Sequence, residues 1–87
     1  MELKIISLNI NGIRNKVDYI DTYFTDIDIL CIQESKLNHK LASSKLFKNF
    51  IDYHFIDNKL PGQKGISFLF NNKSLKKYKE IAGESYI

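Results

Sequence analysis

Eighty-seven residues can form at most one small domain, with a net charge of +3 that points only weakly toward a polyanionic partner. A 44% hydrophobic content with six Phe and five Tyr is too high for a disordered chain, and one cysteine, Cys31, rules out an internal disulfide framework. No apolar window approaches a membrane span and the first residues lack a signal-peptide pattern, so a soluble protein without membrane contact, intracellular and either cytoplasmic or nuclear, is expected.

The first segment, Leu3 to Ile10, is a short apolar run rich in Ile. Its pattern predicts a strand covered on both faces. Asn9, Asn11 and Gly12 end it. Asn-Gly is a strong hairpin signal, but the residues that follow do not read as a second strand. Val17, Ile20 and Phe24 recur at helical spacing among Asp18, Asp21 and Asp26, which predicts a helix over 15–25 and makes the turn a strand-to-helix loop. Residues 28–34 repeat the opening design, an apolar run ending in Gln33 and Glu34, with Cys31 expected as a small buried hydrophobe.

Strand, helix, strand over this length is a right-handed crossover between parallel strands. It brings Asn9, Asn11 and Glu34 to one edge of a sheet. A second helix is expected over 41–51, with Ala42, Leu46 and Phe50 on one stripe widened by Phe47 and Ile51. A third strand is expected over 52–57, a loop over 58–64 with the only Pro, and a fourth strand over 65–70. Gly62 to Gly65 lacks the spacing of a P-loop and reads as a turn. The closing segment, with Lys73, Lys76, Lys77 and Lys79, reads as a solvated basic face or a frayed end. His39 and His54 have no partner at metal or triad spacing and read as structural.

One carboxylate and one or two carboxamides at neighbouring strand ends form a hard-oxygen set suited to Mg²⁺, which takes few protein carboxylates and completes its shell with water or substrate phosphate. The only Arg among thirteen basic residues, Arg14, stands just beyond the turn, where a guanidinium can hold phosphate in a bidentate fashion.

Leu8 to Arg14, followed by Asp28 to Lys36 and then by Gly65 to Phe70, resembles the opening of the endonuclease/exonuclease/phosphatase superfamily. The likeness is strongest to exonuclease III, apurinic/apyrimidinic endonucleases and retrotransposon endonucleases, and it runs over nearly all of the chain. The resemblance implies a DNA-directed, Mg²⁺- or Mn²⁺-dependent nuclease. Glu34 would be the metal ligand, Asn11 would stand beside the metal, and Asn9 would bond the scissile phosphate or a catalytic Asp. Arg14 and Lys36 would touch the DNA backbone. The family's Asp-x-Asn pair, its later Asp and its closing Ser-Asp-His have no counterpart here. The expected architecture is therefore α/β, a partial α/β sandwich of about four strands and two helices in the order β-α-β-α-β-β, forming one partial domain over 1–87. As the N-terminal portion of such a nuclease it should be inactive alone. A second polypeptide or a second copy could complete the sandwich, and the other reading is a non-catalytic module binding protein or nucleic acid.

Overall fold

In the computed structural model, which describes residues 2–42 and 45–83, two apolar runs pair as parallel strands, β1 (Ile5–Asn9) and β2 (Ile29–Gln33). Between them lie a single 3₁₀ turn, Arg14–Lys16, and helix α1 (Val17–Tyr23), so the predicted crossover is present with a shorter helix. Asp21 explains much of the local geometry. Its buried carboxylate accepts from the amides of Lys48 (2.8 Å) and Asn49 (2.9 Å), while the Asn49 side chain donates to the Asp21 carbonyl.

Those bonds also correct the helix expected over 41–51. Helix α2 is confined to His39–Ala42, residues 43–44 lie outside the described residues, and Phe50 opens strand β3 (Phe50–Phe55). Phe47 and Phe50 are both buried and meet edge to face at 6.0 Å, so their spacing reports core contact made by a non-helical segment. Amides that a helix would have used internally are held by Asp21. Ile51 lies on the opposite face and is exposed.

Strand β4 (Ile66–Asn71) inserts between β2 and β3, antiparallel to both, giving the order β1-β2-β4-β3. Ile6, Leu8, Leu30, Ile32, Leu69 and Phe50 contribute to the packed side, together with Ile13, Ile20, Ile27, Leu37 and Phe47. On the other side, strand register aligns three rows: Ile5, Ile29, Phe70 and Ile51; Ser7, Cys31, Phe68 and Tyr53; Asn9, Gln33, Ile66 and Phe55. This side is open. Ile5 is 59% exposed, Tyr53 55% and Phe55 63%, so β1 is an edge strand covered on one face only, and Cys31 is half-buried instead of enclosed. Tyr53 with Phe70, and Phe55 with Phe68, pack edge to face across neighbouring strands of this exposed surface.

After β4, Asn71 accepts from the Lys73 amide and starts a 3₁₀ turn that leads into a third helix, α3 (Leu75–Ala82), closed by Gly83 at φ 82°. The basic closing segment is thus an ordered helix through residue 82. Its anchor is Asp28, a buried carboxylate that accepts from the Lys4 amide (2.7 Å), the Ser74 hydroxyl and Lys77 (3.2 Å). The Tyr78 hydroxyl donates to the Asp28 carbonyl at 2.6 Å. Burial would raise the Asp28 pKa, but hydrogen bonds from Ser74 and Lys4, with Lys77 beside them, outweigh it and hold the carboxyl below its usual 3.8. For Tyr78, burial pushes the phenol above its usual range.

His54, expected to lack partners, has two. Its ring lies between the Ser67 hydroxyl and the Asp52 carboxylate on the packed side, with Ser67 fully buried and closed to any substrate.

Because the folded pKa of Asp28 lies below the unfolded value, its contribution to stability is complete above pH 3.8 and is lost as pH falls from there through the folded pKa. Asp28→Ala should cost about 1–3 kcal/mol at neutral pH and flatten the acid limb of the stability profile, measured by urea unfolding between pH 2 and pH 7.

Candidate functional site

Parallel pairing puts the C-terminal ends of β1 and β2 side by side, with Asn9 opposite Gln33. The ladder does not stop at the strand ends. Gly12 N–H donates to the Glu34 carbonyl at 2.7 Å and Ile13 N–H to the Ser35 carbonyl at 2.9 Å, so the Asn11–Gly12 turn is bonded directly to the segment carrying Glu34. The three residues expected to act together therefore occupy adjoining backbone, and the Asn9, Asn11 and Glu34 side chains are all exposed.

Backbone conformation here is unusual. Asn11, Glu34 and Lys36 all have positive φ, at 51°, 52° and 56°, and Gly12 has φ 103°. For Asn this is an accessible state, but for Glu and Lys it costs on the order of 1 kcal/mol each. The surrounding hydrogen bonds hold it. Ser35, between the two strained residues, is buried; its amide donates to Gly65 O (3.2 Å), and the Lys36 amide donates to Lys64 O (2.7 Å). Glu34–Lys36 is thus gripped by the β1 turn on one side and by the loop before β4 on the other.

Gly65 is required by this grip. Its φ is +88°, and a Cβ would lie 3.1 Å from the Phe55 carbonyl oxygen and 3.2 Å from the Ser35 hydroxyl. The loop before it is shaped by Asp57, whose carboxylate accepts from the Lys59 and Leu60 amides, and by a turn in which Gln63 N–H donates to Leu60 O. Residues 62–65 form a turn, as the sequence suggests, but one that borders the candidate site through Lys64 and Gly65.

Asn11, Gly12, Arg14, Asn15, Lys16 and Lys36 line one concavity beside the turn. Its side chains include three cations and no carboxylate, which suits an anion. Arg14 and Lys36 were both singled out in the sequence. Lys16 was not, because a lysine on a surface helical turn carries no signal of its own; its ammonium donates to the carbonyls of Ile10 (2.7 Å) and Gly12 (3.0 Å).

The donor set suits a hard divalent cation. Among the described residues no group of three or more His, Cys, Asp or Glu side chains could hold a metal. A cation here would rely on the Glu34 carboxylate and amide oxygens such as that of Asn11, leaving the remaining positions to water or phosphate, as Mg²⁺ prefers. The exposure of these side chains permits such a partly hydrated ion.

No family model matches the sequence, and no curated protein matches it significantly. Among solved structures, the crystal structure of the catalytic domain of Xenopus laevis APE2, an AP endonuclease, is similar with a TM-score of 0.64 and 29% sequence identity. That likeness covers 79% of this chain and 23% of the other, so the chain spans about a quarter of the domain it matches. The resemblance to the endonuclease/exonuclease/phosphatase superfamily read from the sequence therefore extends to the fold, as does the α/β class with a sheet that forms only part of a sandwich.

Gly65→Ala should destabilise the chain by about 1–3 kcal/mol, since the added methyl meets backbone oxygen in a left-handed conformation. Urea midpoints measure the loss, and amide shifts of Ser35 and Lys36 should move more than those of α3.

Proposed function

We propose that this chain, which resembles the endonuclease/exonuclease/phosphatase superfamily in sequence and in fold, supplies part of a divalent-metal-dependent phosphodiesterase site that acts on DNA. The observation that carries this reading is the bonded junction of the two strand tips, where Gly12 N–H meets the Glu34 carbonyl at 2.7 Å. It sets one carboxylate and two carboxamides on contiguous backbone at the open end of a parallel pair, the place where α/β proteins gather ligand-binding groups.

Glu34 holds the cation, Mg²⁺ or Mn²⁺, with Asn11 beside it, and Asn9 hydrogen-bonds a non-bridging oxygen of the scissile phosphate. A bound divalent ion supplies Lewis acidity at the phosphoryl oxygen. Arg14 and Lys36 hold flanking backbone phosphates: the guanidinium offers a fork matched to two oxygens, and the ammonium acts as a point charge. Cationic and amide donors fixed around the phosphate stabilise the negative charge that develops during displacement. Groups that activate the attacking water are absent from this sequence, so by itself the chain binds metal and DNA backbone without turning substrate over at an appreciable rate.

A second reading, a non-catalytic binding module, draws support from the open side of the sheet. Ile5, Ile51, Tyr53, Phe55 and Ile66 are all exposed there, an apolar surface of the kind that monomeric proteins ordinarily cover. Under the nuclease reading the same surface receives the other layer of a sandwich, from further polypeptide, a second subunit or a second copy. A monomer by light scattering at about 100 μM, with no added partner, would count against the module reading in its self-associating form.

A chimera tests the nuclease reading. With this chain in place of the matching segment of the APE2 catalytic domain, Mg²⁺-dependent nicking of DNA containing an abasic site is expected, and Glu34→Gln should lower its rate by at least about 100-fold. A Glu34→Gln chimera that nicks as fast as its parent removes Glu34 from the chemistry and the proposal with it.

A further inference from the structure

The turn after β1 contains two consecutive left-handed residues, Asn11 at φ 51° and Gly12 at φ 103°. Backbone carbonyls that leave a strand ladder at such a turn need another donor. Here the Ile10 and Gly12 carbonyls converge on one donor, the ammonium of Lys16, at 2.7 and 3.0 Å. Lys16 is half-buried, closes the 3₁₀ turn that follows, and donates its own amide to Ile13 O at 2.9 Å. Both ends of the residue thus fasten the same short loop, and the loop carries Asn11.

We propose that Lys16 is a positioning residue for the candidate site, its ammonium bridging the Ile10 and Gly12 carbonyls so that the Asn11–Gly12 turn keeps the conformation that sets the Asn11 carboxamide for a divalent cation and the phosphate it carries. This rests on the metal-binding reading given above. Lys16 also lines the concavity that Arg14 and Lys36 share, and two of the three donors of its ammonium are engaged on carbonyls. Its role differs from that of Arg14 and Lys36, for which no backbone acceptor is seen among the described bonds.

A positioning role and a purely electrostatic one have opposite signs. Removing a cation near a bound divalent ion should by itself tighten that ion, because it removes repulsion. Loss of a turn anchor should weaken it. The test compares the 87-residue chain with Lys16→Met, which keeps the aliphatic stem, and Lys16→Arg, which keeps charge and donors. Two readouts are used: amide hydrogen exchange, and Mn²⁺-induced broadening of backbone amide signals.

In Lys16→Met, exchange at Gly12 and Ile13 should rise about tenfold while Leu30 and Leu69 keep their protection, and Mn²⁺ affinity should fall about tenfold. Lys16→Arg should recover part of both effects. Unchanged exchange at Gly12 and Ile13 in Lys16→Met would overturn the inference, as would a loosened turn with equal or tighter Mn²⁺ binding. Loss of protection throughout the Lys16→Met core, with normal behaviour in Lys16→Arg, would also overturn it by making Lys16 a general stabiliser. If the parent chain shows no broadening that Glu34→Gln abolishes, the metal reading fails, and the exchange data still report separately whether the anchor holds the turn.

Discussion

Parallel pairing of β1 with β2, prolonged beyond both strands by the bonds from Gly12 to Glu34 and from Ile13 to Ser35, is the constraint from which the rest of this structure follows. Two antiparallel strands could have been joined by the Asn11–Gly12 turn itself. A parallel pair cannot, so the chain must leave the sheet, run through α1 and return. That detour brings both strand ends to one edge, and the continued ladder keeps them from separating. Glu34 pays for its place with a left-handed backbone, which the bonds on either side sustain.

The second constraint is that β4 enters between β2 and β3. Its insertion makes Leu69 a central core residue and brings Gly65 against Ser35, so the loop before β4 is bonded to the segment that carries Glu34. At the opposite edge of the sheet, Asp28 and Asn71 perform the equivalent task with polar groups. Asn71 donates to the Thr25 and Ile27 carbonyls, and Asp28 gathers Lys4, Ser74 and Lys77. Buried polar groups are satisfied at this edge by crossing from one element to another, which is how a small sheet with one open side keeps its first and last elements attached.

The open side has the opposite character. Three aligned rows of Ile, Phe and Tyr, interrupted by Ser7, Cys31, Asn9 and Gln33, make a surface with the composition of a core and the exposure of a rim. Hydrophobic burial scales with the apolar area removed from water, so covering these side chains would add stability that the described residues do not supply. The partial overlap with a larger catalytic domain has the same sense, since the likeness covers 79% of this chain and only 23% of that domain.

Much of this was legible in the sequence, because local pattern and tertiary outcome agreed there. The β1-α1-β2 unit, β4 and the side-by-side ends of β1 and β2 followed from apolar runs, helical spacing and the handedness of crossovers. Other features depended on contacts between distant residues. Phe47 and Phe50 sit at helical spacing, yet Asp21, more than twenty residues away, claims the neighbouring amides and leaves the segment irregular. Lys73, Lys76 and Lys79 are solvated, as that segment read, but its order as helix α3 was not legible because its anchor, Asp28, is some fifty residues earlier. Sequence periodicity records which residues share a face; it does not record which buried acid will hold a given amide, nor whether a second layer covers the far side of a strand. The sequence determined the residue types available at the strand tips, and only the tertiary structure decided how they are held, through the bonds from Gly12 to Glu34 and from Ile13 to Ser35 and the close approach of Gly65 to Ser35, since each joins segments that local pattern treats as independent.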